Sequence, residues 1–300
     1  MRVKIRTYAY YCAPMQHTSF FLSGLVITVL LLGACSKPAE PVAGAVPAAS
    51  ATSTVAVPAP VLQDLRVAID PTYEPFTYKM ADGSPTGFDI DIANALCDHI
   101  KRKCVFVEQV WDSMIPGLMA RKYDVVISSM GITEARQAQI DFSDRYYKTH
   151  SRLVLKKTVK FDGPASIKGK RIGVGKATIQ EKYALGELKP AGVKVVSYDA
   201  QDQVYLDLRA GRIDGTVADF VEVTGGFLSK PEGQDYQLVG PELDDPKYFG
   251  TGVGIGLRKG DAALRETLNA AIQAIRANGV YKTINDKYFA KYGNLDVYGK

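Results

Sequence analysis

The chain has 300 residues, 46% of them hydrophobic, with 37 Lys and Arg against 32 Asp and Glu and a formal net charge of +5. That length supports a full hydrophobic core, and no basic stripe runs along it of the kind that nucleic acid would need. Three histidines, at 17, 99 and 150, are too scattered for a metal centre or a nucleophilic triad.

Residues 1–34 read as a secretory signal. Arg2, Lys4 and Arg6 give a basic start without an acid, and 20–32 is an apolar run too short to span a bilayer comfortably. The run ends in Leu32-Gly33-Ala34-Cys35, which resembles the bacterial lipobox. Cys35 is therefore expected to carry lipid and anchor the protein to a membrane of the cell envelope, the alternative being an ordinary signal with a chance cysteine. Without the signal the balance becomes 34 Lys and Arg against 32 Asp and Glu, a net of +2. Residues 35–61 continue as the lipidated cysteine and a tether of mostly Ala, Pro, Val, Ser and Thr, with prolines at 38, 41, 47, 58 and 60. Such a segment has no apolar face to bury, and as a flexible coil spans about 30 Å.

Beyond the tether, strand and helix alternate. An apolar strand is expected over 65–69, then a helix capped by Asp89 with Ile90, Ala93, Leu96 and Ile100 on one face. Strands at 104–107 and 124–127 flank a helix that starts at Asp112. After a middle strand at 152–155 the order repeats: strand 171–174, helix 179–185, strand 193–197, helix 204–210, strand 213–217. Two amphipathic helices, 261–278 and 280–292, end the chain. This rhythm predicts mainly parallel sheets with helices on both faces. A faint repeat supports two units of one design. Leu118-Met-Ala-Arg-Lys-Tyr-Asp124 matches Leu208-Arg-Ala-Gly-Arg-Ile-Asp214, and each copy leads into an apolar strand that ends in polar residues. Ligands of open α/β sheets sit beyond the carboxyl ends of strands, so two such ends facing each other form a cleft.

The densest signal is Ile127-Ser-Ser-Met-Gly-Ile-Thr-Glu-Ala-Arg136. Thr133 has the position of a helix N-cap and Arg136 falls in the first turn, where a cation opposes the macrodipole. Either an anion shares the site with Arg136, or the arginine pairs at the surface with Glu134, Asp141 or Asp144. Asp70-Pro-Thr-Tyr-Glu-Pro-Phe76 puts an acid and an aromatic ring three residues apart after the first strand, a cation holder or a plain strand-end turn. Trp111 reads as core or site, and Asp219 as a helix N-cap or a ligand carboxylate. Cys97 and Cys104, seven apart in an exported chain, are expected to form a disulfide, with metal binding as the weaker alternative. Gly173-Val-Gly175 and the glycines from Gly250 to Gly256 complete no nucleotide-binding motif.

Together these segments resemble the bacterial solute-binding proteins of polar amino-acid ABC transporters, family 3, with most similarity to the lysine/arginine/ornithine- and histidine-binding members. Gly87-Phe-Asp-Ile-Asp-Ile92, Ile115-Pro-Gly-Leu118, Phe142-Ser-Asp144, Lys168-Gly-Lys170, Lys247-Tyr-Phe-Gly250, Gly256-Leu-Arg-Lys259, Lys287-Tyr-Phe and Val297-Tyr-Gly match as well, in order. The resemblance implies the two-lobed periplasmic-binding-protein fold of type II, two mainly parallel sheets with flanking helices joined by two hinge strands. Residues 62–149 and 251–300 would form one lobe and 150–250 the other. It implies a periplasmic, membrane-anchored, monomeric lipoprotein without cofactor or metal, which closes on a polar L-amino acid and is read by an ABC permease in the inner membrane. The ligand would be cationic: arginine, lysine or ornithine, or histidine. Carried over by position, Arg136 and backbone near Thr133 grip the α-carboxylate and Asp219 the α-ammonium. Asp70 meets the side-chain cation between Tyr73 and Trp111, while Ser128, Ser129, Gly131, Thr178 and Gln180 add contacts. The cysteine pair falls where basic-amino-acid members carry their disulfide. Three departures stand out: Gly131 for a serine, Ile179 for a threonine, and Gly175-Lys176 for Leu-Gln. A lysine pointing inward at 176 would disfavour a cationic ligand. Other functions compatible with this fold are an exported cyclohexadienyl dehydratase acting on prephenate or arogenate, and an amino-acid sensor subunit.

Overall fold

A computed structural model describes residues 63–290. The secretory signal, the Cys35 lipidation site, the tether, Val297-Tyr-Gly and the last residues of the predicted terminal helix lie outside these residues.

The described chain begins with β1 (Leu65–Ile69), β2 (Thr72–Tyr73), β3 (Thr77–Lys79), β4 (Pro85–Thr86), α1 (Phe88–His99), β5 (Cys104–Glu108), α2 (Met114–Met119), β6 (Val125–Val126), α3 (Glu134–Gln137) and β7 (Asp141–Phe142). There follow β8 (Ser151–Lys156), β9 (Arg171–Gly175), α4 (Ile179–Tyr183), β10 (Lys194–Tyr198), α5 (Gln201–Arg209), β11 (Gly215–Asp219), α6 (Phe220–Val223), β12 (Tyr236–Leu243) and α7 (Pro246–Phe249). Finally come β13 (Gly256–Leu257), α8 (Ala262–Ala277) and α9 (Val280–Phe289).

Two five-stranded sheets result, ordered β5-β1-β6-β13-β7 and β10-β9-β11-β8-β12. In each, the first three strands are parallel and come from the predicted βαβ units. The other two pair antiparallel; β8 and β13 follow the segments that pass between the sheets, and β7 and β12 lead into them. The sequence repeat has a structural meaning here. Asp124 accepts from the Arg66 backbone N at 3.0 Å, at the head of the first sheet. Asp214 accepts from the Arg171 N at 2.7 Å at the head of the second. Each aspartate also pairs with the guanidinium of that arginine, so one pairing device opens the central parallel strand of both lobes.

One sequence expectation needs correction. Asp89 does not cap α1. The N-cap is Gly87, at φ 127°, where a Cβ would stand 2.2 Å from the Phe76 carbonyl oxygen, so only glycine fits. Asp89 lies inside the first turn, fully buried, and accepts from Ser129 Oγ at 2.9 Å and Tyr146 Oη at 2.8 Å. Burial pushes its carboxyl up to about 7 against the opposing effect of those two donors. The small sheet β2-β3-β4, strands β7, β12 and β13, and helices α6 and α7 were not expected from the pattern. They are two to eight residues long, too short or too irregular to show a period.

The chain leaves the first sheet after Phe142 and enters the second at Ser151, and it returns between Leu243 and Gly256. The two crossings run side by side: Val253 N donates to Tyr147 O at 2.9 Å and Tyr146 N to Val253 O at 3.0 Å. Tyr147 stacks on Phe76 at 5.0 Å, and Phe88 lies 4.9 Å from Phe289, so buried aromatic rings fix the crossing against the first lobe.

Cys97, at the end of α1, and Cys104, at the start of β5, form a disulfide with their Cα atoms 5.8 Å apart. Closing so short a loop restrains the unfolded chain by about 2.5 kcal/mol. Replacing both cysteines by alanine is expected to lower the unfolding free energy by about that amount, read from the midpoint and slope of a urea titration.

Candidate functional site

The carboxyl ends of the parallel strands of both sheets converge on one cavity. Asp70 follows β1, Trp111 lies beyond β5, Ser128 and Ser129 follow β6, Gly175 ends β9, Asp199 follows β10 and Asp219 ends β11, and all of them line it. Of the residues expected from sequence, Asp70, Tyr73, Trp111, Ser128, Ser129, Gly131, Arg136, Thr178, Gln180 and Asp219 share this cavity. Thr133 is not among its lining residues. Its hydroxyl caps α3 by accepting from Arg136 N at 3.4 Å.

Arg136 is partly buried. Its guanidinium donates to Gly131 O at 3.0 Å and to Ala177 O at 3.3 Å, and lies 5.2 Å from the centre of the Trp111 ring. Among the described residues no carboxylate pairs with it. Asp141 stands 3.7 Å from Arg265 instead, and the Asp144 N–H bonds to Asn269 Oδ1 at 2.8 Å. The surface-pair alternative is thereby removed. Burial lowers the pKa of Arg136 only to about 10, so it stays a cation at neutral pH. Helix α3 is a single turn, so its dipole is small and the guanidinium supplies the positive charge of this end.

Two buried carboxylates line the same cavity. Asp219 is the N-cap of α6 and accepts from Val221 N at 2.8 Å and Glu222 N at 3.2 Å with Oδ1. Its Oδ2 accepts a short hydrogen bond from the Thr149 hydroxyl. Burial raises the carboxyl to about 6, with those three donors acting against it. Asp219 is thus the helix cap of the sequence reading and also lines the cavity. Asp70 accepts only with Oδ1, from Thr72 Oγ1 at 2.8 Å and Thr72 N at 3.2 Å. Burial again raises its pKa.

The polar neighbours are largely committed to holding these groups in place. Ser128 Oγ accepts from Asp70 N at 2.9 Å, and Ser129, at φ 53°, donates to Asp89. Thr178 caps α4, accepting from Glu181 N at 3.0 Å, and Gln180 Nε2 donates to Ser151 Oγ at 3.0 Å. Lys176 does not point at Asp70. It crosses the rim to Asp112 at 2.8 Å, beside the bond from Trp111 Nε1 to Ala177 O at 3.2 Å. A second interlobe pair, Lys230 with Glu74 at 2.7 Å, lies at another edge. The cleft is closed. Sequence reasoning missed Thr72, Thr149, Ser151 and Gln201, which line the cavity from β2, the crossing segment, β8 and the first residue of α5. Thr72 lay within the motif that nominated Asp70, while no pattern marks the other three.

Comparison with known proteins agrees with this geometry. The family described as Bacterial extracellular solute-binding proteins, family 3, matches residues 65–291. The L-arginine-binding protein of Pseudomonas aeruginosa is 49% identical over 236 residues, 78% of this chain and 90% of that protein. The histidine-binding periplasmic protein of Salmonella typhimurium is 46% identical over 249 residues, 83% of this chain and 94% of that protein. A solved Salmonella typhimurium periplasmic binding protein, described for its high arginine specificity, superposes with a TM-score of 0.71 at 32% identity, covering 76% of this chain and 100% of that one.

Gly131, at the cavity, and Gly250, at the end of α7, differ in what they tolerate. A Cβ on Gly131 would meet Arg136 Nη1 and Ile179 Cδ1 at 3.5 Å, ordinary contacts. One on Gly250, at φ 70°, would stand 1.9 Å from Ile132 O. Gly131→Ser is expected to melt within about 2 °C of the parent, and Gly250→Ala at least about 4 °C lower, in thermal unfolding followed by circular dichroism.

Proposed function

The chain belongs to the bacterial extracellular solute-binding proteins of family 3, and from that premise we propose that it is the receptor of an ABC importer for cationic L-amino acids. The observation that carries this reading is the charge of the cavity. Arg136 and Lys176 contribute two positive charges, and Asp219, Asp70 and Asp199 three negative ones. The sum of −1 is complemented by a ligand of net +1, which an amino acid with a cationic side chain supplies. Arg136 takes the α-carboxylate, Asp219 the α-ammonium, and the free Oδ2 of Asp70 the side-chain cation, with Tyr73 and Trp111 flanking the stem. A neutral amino acid would leave Asp70 buried without a counter-charge, which is costly. The relatives bind arginine and histidine by name, in line with this class. Cys35 would hold the receptor at the membrane, where a permease reads the closed cleft.

A thermal-shift panel of single amino acids tests the reading. Arginine, lysine or ornithine should raise the melting temperature, and no response to any amino acid would sink the idea. Arg136→Ala should abolish binding of every ligand, whereas Asp70→Asn should weaken cationic ligands selectively. Turnover of prephenate or arogenate by the purified protein would make it a dehydratase instead.

Asp219 must be ionised to hold an ammonium, and its free carboxyl titrates at about 6. Affinity is therefore expected to be level above that pH and to fall about tenfold per unit below it, as protons compete with the ligand. Calorimetric titration of arginine between pH 5 and 8 measures this, and a flat profile would remove Asp219 from the role.

A further inference from the structure

Among the described residues, one side chain of the cavity has a buried polar atom without a hydrogen bond: Gln201 Nε2. The residue is 9% exposed and begins α5. Its carboxamide lies beside the Tyr205 hydroxyl, which donates to Glu222 at 2.6 Å. The amide nitrogen is thus turned toward Tyr205, which leaves Oε1 as the acceptor on the other edge.

Gly175 gives access to it. At the end of β9 this glycine carries no side chain, and a Cβ there would lie 3.0 Å from Thr178 Cγ2 and 3.8 Å from Gln201 Oε1. Any larger residue would stand between the amide and the cavity. Gln201 also belongs to the Asp70 side of the cleft. Helix α5 packs against β2, whose Thr72 bonds Asp70, and the neighbouring Asp202 adds to burial in raising the Asp70 carboxyl.

We propose that Gln201, made accessible by Gly175, selects a guanidinium over an ammonium or an imidazole at this end of the cavity. The assignment rests on the cationic-ligand reading above. A guanidinium is a planar fork of five N–H donors and can face two acceptors on different edges. One edge meets Asp70 Oδ2. Another meets Gln201 Oε1, which already lies on the Gly175 side. The ammonium of lysine or ornithine is a compact point charge on a shorter reach, which Asp70 takes alone.

Calorimetric affinities for L-arginine and L-ornithine, measured on the parent, on Gln201→Met and on Gly175→Leu, test this. Gln201→Met keeps length and removes the acceptor, while Gly175→Leu covers an intact Gln201, so the second variant carries the question if the first fails to fold. Each should cut the arginine-to-ornithine affinity ratio about tenfold, the worth of one hydrogen bond to a charged group. A ratio unchanged in the folded variants, with both ligands weakened alike or neither weakened, would overturn the assignment and leave the cationic-ligand reading intact. A parent that binds neither ligand would overturn both.

Discussion

A guanidinium held in a closed cleft without a carboxylate is the constraint on which the rest of this structure depends. Arg136 is given two backbone carbonyls and one indole face, which orient it without neutralising it. Carbonyls are dipoles, and a partly desolvated cation held by dipoles alone keeps most of its charge available. Asp70 and Asp219 are in the mirror situation: buried, supplied with neutral donors, and without a cationic partner. Under the proposed function, these three charges are the template for a ligand carrying the opposite three.

Holding them apart is the task of the two lobes. Each charge sits just past a strand or at a helix start, where backbone N–H and C=O groups are free to orient it. Arg136 and Asp70 come from the first sheet and Asp219 from the second, so the template is complete only when the lobes meet. The direct links across the rim are weak by nature. The side chains of Lys176 with Asp112 and of Lys230 with Glu74 remain between 36% and 52% exposed, and such pairs are screened by salt. The crossing strands bond to each other and are packed by rings on the side of the first lobe.

Much of this was legible in the chain. The strands 65–69, 104–108 and 171–175 are short runs rich in apolar residues, and the two terminal helices show a helical period because each buries one face against a core. The internal repeat at Asp124 and Asp214 was visible because the same pairing device opens both central strands. Asp89 was misplaced because an acid before an apolar run looks like a cap, whereas the constraint at that turn was steric and belonged to Gly87. Thr149, Ser151 and Gln201 could not be read at all. Their place in the cavity follows from how two distant sheets meet, and a single sequence carries no trace of that meeting.

Thr149 shows why such residues matter. A carboxylate as buried as Asp219 with only its cap bonds to α6 would be driven further towards the neutral acid, which cannot attract an ammonium. The Thr149 hydroxyl adds a third donor, on the oxygen that the cap leaves free. The result is a carboxyl poised at about 6, raised by burial yet ionised at neutral pH. Thr149 comes two residues before β8, whose Ser151 pairs with Asp219 of β11, so the second sheet itself holds the hydroxyl against the carboxylate.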